Sequence, residues 1–188
     1  MPKIGNNPIL KKVSGMLGDT VVFRQSADGP VMANAPKKPT SVNAAQVALR
    51  TRFLNAVHYG RRQMLKPEVK ALYQTGVDRK RKSPYTVAVT DYLSVPKITQ
   101  IDTTQYLGQI GQPVNVFATD DFKVQSVQVS IQDSTGEEIE AGEATASEEL
   151  LDVWIYTTKA ANISLTGTMI TVTVRDIPGN VVTQTLTL

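Results

Sequence analysis

The sequence predicts an α+β chain of two domains, a small basic module of a β-hairpin and helices at 1–95 followed by an acidic all-β sandwich at 96–188. Charge divides by halves: residues 1–90 hold sixteen Lys/Arg against four acids, a net +12, whereas residues 91–188 hold four against thirteen, a net −9. Apolar periodicity changes from helical spacing before Val95-Pro96 to period-two alternation after it. Turn-forming clusters then recur at short intervals to the C-terminus.

Composition removes several chemistries. The 188 residues include no cysteine, so no disulfide framework, thiolate metal site or cysteine nucleophile is available. The stretch Met1-Pro2-Lys3-Ile4-Gly5-Asn6-Asn7 lacks the apolar core of a secretory signal, and no run approaches the roughly 18 apolar residues of a membrane span. The expectation is a protein without signal peptide or membrane span, cytoplasmic or incorporated in a virion-like particle. Opposite charge on the two halves points to a polyanionic partner for the basic half or to contact between copies of the chain.

Taken in order, Thr20-Val21-Val22-Phe23-Arg24-Gln25 is β-branched and aromatic, Ala27-Asp28-Gly29 supplies a turn, and Val31-Met32-Ala33 returns as a partner strand. Gly15 and Gly18 flank Met16-Leu17 and suggest a tight bend before that hairpin. Gly5, Gly15 and Gly18 lack the Lys-Ser/Thr ending of a phosphate loop and read as turn residues. Pro36-Lys37-Lys38-Pro39 is expected to be extended, because proline biases its predecessor away from the helical region. Asn43, with Gln46 three residues on, then caps a helix running to about Leu65, with Val47, Phe53, Leu54 and Val57 as its apolar stripe. Pro67 suits the first turn of a second helix with Val69, Leu72 and Tyr73 inward. Ser83-Pro84 opens a third short helix, in which Tyr85, Val87, Ala88, Tyr92 and Leu93 face inward.

Beyond Val95-Pro96 the pairs and triplets Ile98/Ile101, Val114/Val116, Val127/Val129/Ile131, Val153/Ile155, Ile170/Val172/Val174 and Val182/Leu186/Leu188 mark six or seven short strands. Asp120-Asp121, Asp133-Ser134-Thr135-Gly136, Ser164-Leu165-Thr166-Gly167 and Asp176-Ile177-Pro178-Gly179-Asn180 punctuate them. The pattern fits an immunoglobulin-like sandwich held by two inner faces instead of a disulfide.

These residues carry a resemblance. Val13 to Gln25, the Pro-Lys-Lys-Pro segment with Asn43 to Tyr59, Pro67 to Tyr73 and Tyr85 to Leu93 resemble an uncharacterised bacterial family with a basic N-terminal hairpin and helical module. Ala118-Thr119-Asp120-Asp121-Phe122, Gly142-Glu143-Ala144, Trp154-Ile155-Tyr156 and Arg175 to Asn180 resemble bacterial immunoglobulin-like modules. The resemblance spans nearly the whole chain and implies the same two-part architecture. Modules of this sort serve as spacers, adhesive units or decorations on phage and phage-like particles, a fold-level analogy.

The sequence points away from catalysis. His58 is the only histidine and stands without triad or two-histidine partners. Glu137, Glu138, Glu140 and Glu143 fall around an exposed turn and Glu148-Glu149 in a loop, the pattern of a solvated acidic face. Asp120-Asp121 and Asp176 near Gly179-Asn180 can contribute oxygens to calcium, but they lack cage-like spacing and read as turn-forming residues. Trp154 and Tyr156 mark a core strand rather than a sugar platform. No cofactor or metal is therefore assigned.

Lys37, Lys38, Arg50, Arg52, Arg61, Arg62, Arg79, Lys80, Arg81 and Lys82 are the candidate docking or nucleic-acid residues, since clustered cations attract phosphates by counterion release and carboxylates by charge. They match no base-reading motif, so nucleic-acid binding would be non-specific and salt-sensitive. Val21, Val22, Phe23 and Arg24 are the candidate strand-pairing residues, offered to a neighbouring sheet. The leading expectation is a non-enzymatic structural protein that forms a homo-oligomer or larger protein assembly, virion-like or filament-like. The alternative is a non-specific DNA- or RNA-binding protein, and a calcium-dependent or sugar-binding adhesive domain is the third reading.

Overall fold

Short β-branched segments and small-residue helices build three antiparallel sheets and three α-helices in a computed structural model that describes residues 13–26, 29–37 and 43–188. Lys38, Pro39, the Ala27-Asp28 part of the expected turn and the N-terminal stretch with Gly5 lie outside the described residues. The chain divides into two compact units between Val47 and Ala48.

The first unit contains strands β1 (Gly15–Leu17), β2 (Val21–Ser26) and β3 (Gly29–Asn34), in the order β1-β2-β3. The expected hairpin is the β2/β3 pair, in register from Val21 opposite Asn34 to Ser26 opposite Gly29. Met16-Leu17, expected as part of a bend, is a strand instead; the reversal into β2 comes at Gly18, whose φ of 57° suits glycine. This corrects the assignment of Val21, Val22, Phe23 and Arg24 as a strand for a neighbour. β2 is the central strand, with Val21, Val22 and Phe23 paired to β1 on one side and all four residues paired to β3 on the other. Within this sheet the outer strands are β1 and β3.

Helix α1 (Ala44–Gln63) starts where the Asn43 side chain accepts the Ala45 N–H at 3.1 Å, and it runs through Gly60 without a break. Its buried residues are Ala56 and Gly60, not the expected stripe. Val47, Phe53 and Leu54 are exposed, and Val57 is half-buried. The reason is close approach: a Cβ on Gly60 would stand 2.8 Å from Val89 Cγ2 and 3.0 Å from Tyr85 Cε2, so the helices meet on the face that carries Gly60.

Helix α2 (Pro67–Gln74) takes proline in its first turn, and α3 (Pro84–Leu93) is capped by Ser83, whose hydroxyl oxygen accepts the Thr86 N–H at 3.2 Å. Tyr73, Val87 and Ala88 centre a small core completed by Tyr59, Met64, Val69, Val77, Phe122 and Ile177. Phe122 and Ile177 belong to the β-rich part of the chain. The helices therefore share a unit with the strands, and the chain divides at Val47 rather than at the expected Val95-Pro96. Three helices bury too little apolar surface to stand alone, so they complete their core with side chains from strand-connecting turns.

From Lys97 onward come β4 (Lys97–Asp102), β5 (Pro113–Thr119), β6 (Val124–Gln132), β7 (Glu138–Glu143), β8 (Thr145–Ala146), β9 (Val153–Thr157), β10 (Met169–Asp176) and β11 (Val181–Thr187). They form two four-stranded sheets, ordered β4-β5-β9-β8 and β11-β10-β6-β7. Val114, Val116, Ala118 and Tyr156 of the first sheet share one core with Val127, Val129, Ile131, Ile170, Val172 and Val174 of the second. Register places Val129 opposite Val172 and Ile131 opposite Ile170, so apolar alternation fills the space between the sheets. Glu138–Glu143 is strand β7, where an acidic turn was expected. The reversal ends sooner, at Gly136 with φ 89°, and leaves the following residues free to pair with β6.

Candidate functional site

Two features of the second unit stand out chemically: the surface of α1 and a buried group of carboxylates where α3 meets the sandwich.

On α1, four-residue spacing sets Leu49 beside Phe53 and Arg50 beside Leu54. These four side chains line one shallow hollow. Leu49, Phe53 and Leu54 are 66%, 53% and 56% exposed, large for apolar residues of an ordered helix. Arg61 and Arg62 lie in the last turn, where cations complement the helix dipole. The Arg52 guanidinium donates to the Leu93 carbonyl at 2.9 Å, tying α1 to the end of α3. His58, exposed on the same helix, lines a separate hollow with Tyr59, Arg62 and Tyr92.

The second basic cluster does not act as one group. Arg81 donates to Asp78 Oδ2 at 2.9 Å and to Asp121 Oδ2 at 2.8 Å, so it clamps the α2–α3 connection to the turn after β5. Asp78, held by the Arg81 backbone N–H and side chain, is lowered below the usual carboxylate range. Arg79, Lys80 and Lys82 are exposed around this clamp, as are Arg50, Arg61 and Arg62 on α1. Lys37 is exposed in the first unit.

The carboxylates are Asp91 in the last turn of α3, Asp120 just after β5, and Asp176 at the end of β10. One carboxylate oxygen from each lies within 4.8 Å of the other two. Asp91 and Asp176 are fully buried and Asp120 is half-buried. Each carboxylate already accepts a hydrogen bond. Tyr73 Oη donates to Asp91 Oδ2 at 2.7 Å and shares a 2.8 Å hydrogen bond with the Tyr59 hydroxyl. The Phe122 N–H donates to Asp120 Oδ2 at 3.3 Å. The Gly179 and Asn180 N–H groups donate to Asp176 Oδ1 at 2.8 and 2.6 Å, and Asn180 Nδ2 donates to Asp176 Oδ2 at 2.7 Å. Asn180 Nδ2 also reaches the Ser94 carbonyl at 2.7 Å, which fixes the end of α3 against the β10–β11 turn.

Two oxygens are left over: Asp91 Oδ1 and Asp120 Oδ1 are buried without a hydrogen-bond partner. Burial, followed by the charge of Asp120, a hydrogen bond from the protonated Asp91 carboxyl to Asp120, and the charge of Asp176, pushes Asp91 up to about 8 against the pull of the Tyr73 hydrogen bond. Asp176 is raised by burial and by Asp120, against its bonds to Asn180 and Gly179. Burial also raises Tyr73 and Tyr59.

Sequence reasoning located Asp120 and Asp176 as turn formers, which they are, but missed Asp91 and Tyr73 as their neighbours. Asp91 is the one acid among the fourteen residues from Asp78 to Asp91 apart from Asp78 itself, and it stands on the inward face of an apolar helix. That position was the available signal.

No protein-family model and no curated protein sequence matches the chain. Among solved structures, the crystal structure of CopC from Methylosinus trichosporium OB3b aligns with a TM-score of 0.37 and 15% identity, over 48% of this chain and 87% of that one. At that score the likeness bears on neither architecture nor chemistry.

Proposed function

We propose that the chain is a non-enzymatic structural protein, which assembles with copies of itself into a homo-oligomer or larger particle through the basic face of α1 and displays an immunoglobulin-like sandwich. The observation that carries this reading is the exposure of Leu49, Phe53 and Leu54 beside Arg50. Aromatic and arginine side chains around an apolar patch are what the centres of protein interfaces use, whereas phosphate binding needs no Phe or Leu. A second copy offers the complementary charge: Glu137, Glu138, Glu143, Glu148, Glu149 and Asp152 are all exposed on its sandwich. Strand order supports the immunoglobulin-like description, since β4-β5-β9-β8 corresponds to the A-B-E-D sheet and β11-β10-β6 to G-F-C, with β7 added beside C.

The second reading, non-specific binding of DNA or RNA, is favoured by the exposed Arg50, Arg61, Arg62, Arg79, Lys80 and Lys82. Light scattering of nuclease-treated protein across a salt series, with and without DNA, separates the two. Self-assembly is expected without DNA and at moderate salt, and the double variant Phe53→Asp/Leu54→Ser is expected to abolish it with an unchanged melting temperature. A chain that stays monomeric without DNA and grows only with it, dissolving again as salt rises, overturns the assembly reading.

A further inference from the structure

Between β8 and β9 the chain reads Ser147-Glu148-Glu149-Leu150-Leu151-Asp152, two leucines set among three acids. Leu150 is 59% exposed and Leu151 93%, and the three acids beside them are exposed as well. The backbone holds this arrangement. The Ser147 hydroxyl oxygen accepts the Glu149 and Leu150 N–H groups at 3.3 and 3.1 Å, and the Ser147 N–H donates to the Val153 carbonyl at 2.8 Å. Asp152 closes the loop with φ 62°, a left-handed conformation that aspartate tolerates better than most residues. Its carbonyl accepts the Ala118 N–H of β5 at 3.0 Å, so the loop is tied to the neighbouring strand while its tip presents two leucines to solvent.

We infer that this loop of one copy docks on α1 of the next, with Leu150 and Leu151 against Leu49, Phe53 and Leu54 and with Glu148 and Glu149 against Arg50. The inference rests on the assembly reading and names the partner surface for the same face of α1. Residues 44–63 hold four arginines and no acid, a net +4, whereas residues 147–152 hold three acids and no base, a net −3. Every residue from 48 to 55 is exposed, and a stretch of helix without tertiary contact is marginal in water. The two surfaces answer each other in both respects, leucines for an apolar hollow and carboxylates for the guanidinium at its edge.

Other surfaces of a second copy fit less well. Another α1 would set arginine against arginine. Glu137, Glu138 and Glu143, on β7 and the turn before it, have no exposed large apolar residue among them. Within one chain the loop and the face of α1 are both exposed, so neither covers the other and the contact is made between copies. Because the two patches differ, each copy carries one of each. It binds two neighbours in a row, or one neighbour reciprocally at both patches.

The test uses the full, nuclease-treated chain, with molar mass read by light scattering over a concentration series. Leu150→Ser/Leu151→Ser changes only exposed side chains and is expected to keep the wild-type melting temperature. Its apparent dissociation constant for assembly is expected to rise about a hundredfold, about ten for each leucine left in water. Should that variant lose its fold, Leu151→Ser alone carries the same expectation with about a tenfold loss. Mixed in equal amounts, the loop variant and Phe53→Asp/Leu54→Ser each keep one intact surface and are expected to form a one-to-one complex and nothing larger. Glu148→Lys/Glu149→Lys is expected to weaken assembly, and Arg50→Glu in the same chain to restore part of it. Wild type that stays monomeric overturns the assembly reading and this contact with it. Wild type and the loop variant assembling alike, while the helix variant does not, overturns the loop alone and leaves α1 against another surface of the copy. Two monomeric variants that do not combine on mixing overturn the pairing of these surfaces as well.

Discussion

Replacing Tyr73 by Phe removes one oxygen atom from the centre of the helical core and leaves its packing in place. Tyr73 is fully buried, its ring lies 5.0 Å from that of Phe122, and its hydroxyl joins the Tyr59 hydroxyl at 2.8 Å to Asp91 Oδ2 at 2.7 Å. The variant leaves Asp91 Oδ2 without its donor, beside an Oδ1 that already has none. An unsatisfied buried acceptor costs about 1–3 kcal/mol, and the loss from a chain of this size lowers the melting temperature by about 2–4 °C per kcal/mol. The expected drop is thus roughly 4–8 °C for a loss near 2 kcal/mol, measured at constant pH by circular dichroism and checked by urea titration. Tyr59→Phe is the internal control. Its hydroxyl is half-buried and one step further from the carboxylate, so it should lose about 1 kcal/mol or less. A Tyr73→Phe protein that melts with wild type, or a Tyr59→Phe protein that loses more, would refute the claim that this chain of hydroxyls ends on a buried carboxylate.

Ile170→Ala, in the middle of the sandwich and fully buried, is expected to lose about 2–5 kcal/mol by denaturant titration, because the two sheets cannot close over the cavity. Gly76→Ala places a Cβ 2.6 Å from Phe122 Cε2 and should destabilise the second unit by about 1–3 kcal/mol, read as a lower denaturant midpoint. Asp78, Asp102 and Asp133 have folded pKa values lowered by hydrogen bonds, first from the Arg81 backbone N–H, the Thr104 backbone N–H and the Thr135 hydroxyl respectively. Their contribution is therefore full above their unfolded pKa, near about 4, and is lost as pH falls through the lower folded values. Melting temperature should decline on acidification below about pH 4, and Asp133→Asn should flatten that decline.

How far the fold was legible follows from how local each determinant is. Period-two alternation in Val127/Val129/Ile131 and Ile170/Val172/Val174 depends only on a strand having one buried face, and those segments are central strands β6 and β10. Pro67 and Ser83-Pro84 mark helix starts through backbone chemistry within one turn, and both helices begin there. Strand β7 escaped because it is an edge strand: Glu138 and Glu143 are exposed, while the half-buried Glu140 accepts the Tyr156 hydroxyl at 2.8 Å and the Lys159 N–H at 2.7 Å. The buried face of α1 escaped for a different reason. Hydrophobic periodicity finds large apolar residues, but α1 meets α3 through Gly60, close to Val89 and Tyr85, and through Tyr59 against Tyr92, none of them in the expected stripe.

That last misreading connects to function. When the large apolar residues of a helix are not the ones its own core uses, they remain as surface, and Leu49, Phe53 and Leu54 are left for something outside the core of the second unit. The same separation explains the carboxylates. Asp120 and Asp176 are each accounted for locally, by an N–H two residues on and by the Gly179-Asn180 turn, so nothing in either segment requires the other. Only Asp91, placed by the packing of α3 against turns 29 and 85 residues further along the chain, makes a group of them. A charge sign that changes near residue 90 suggested two independent domains, yet Asn180, held by Asp176, ties the end of α3 to the β10–β11 turn across that boundary. The residues that join these layers are therefore the ones whose removal should loosen helix from sheet before either unfolds by itself, and Asp176→Ala, which strips the partner from Asn180 and its link to Ser94, is the variant in which to look for that loosening by hydrogen exchange in α3.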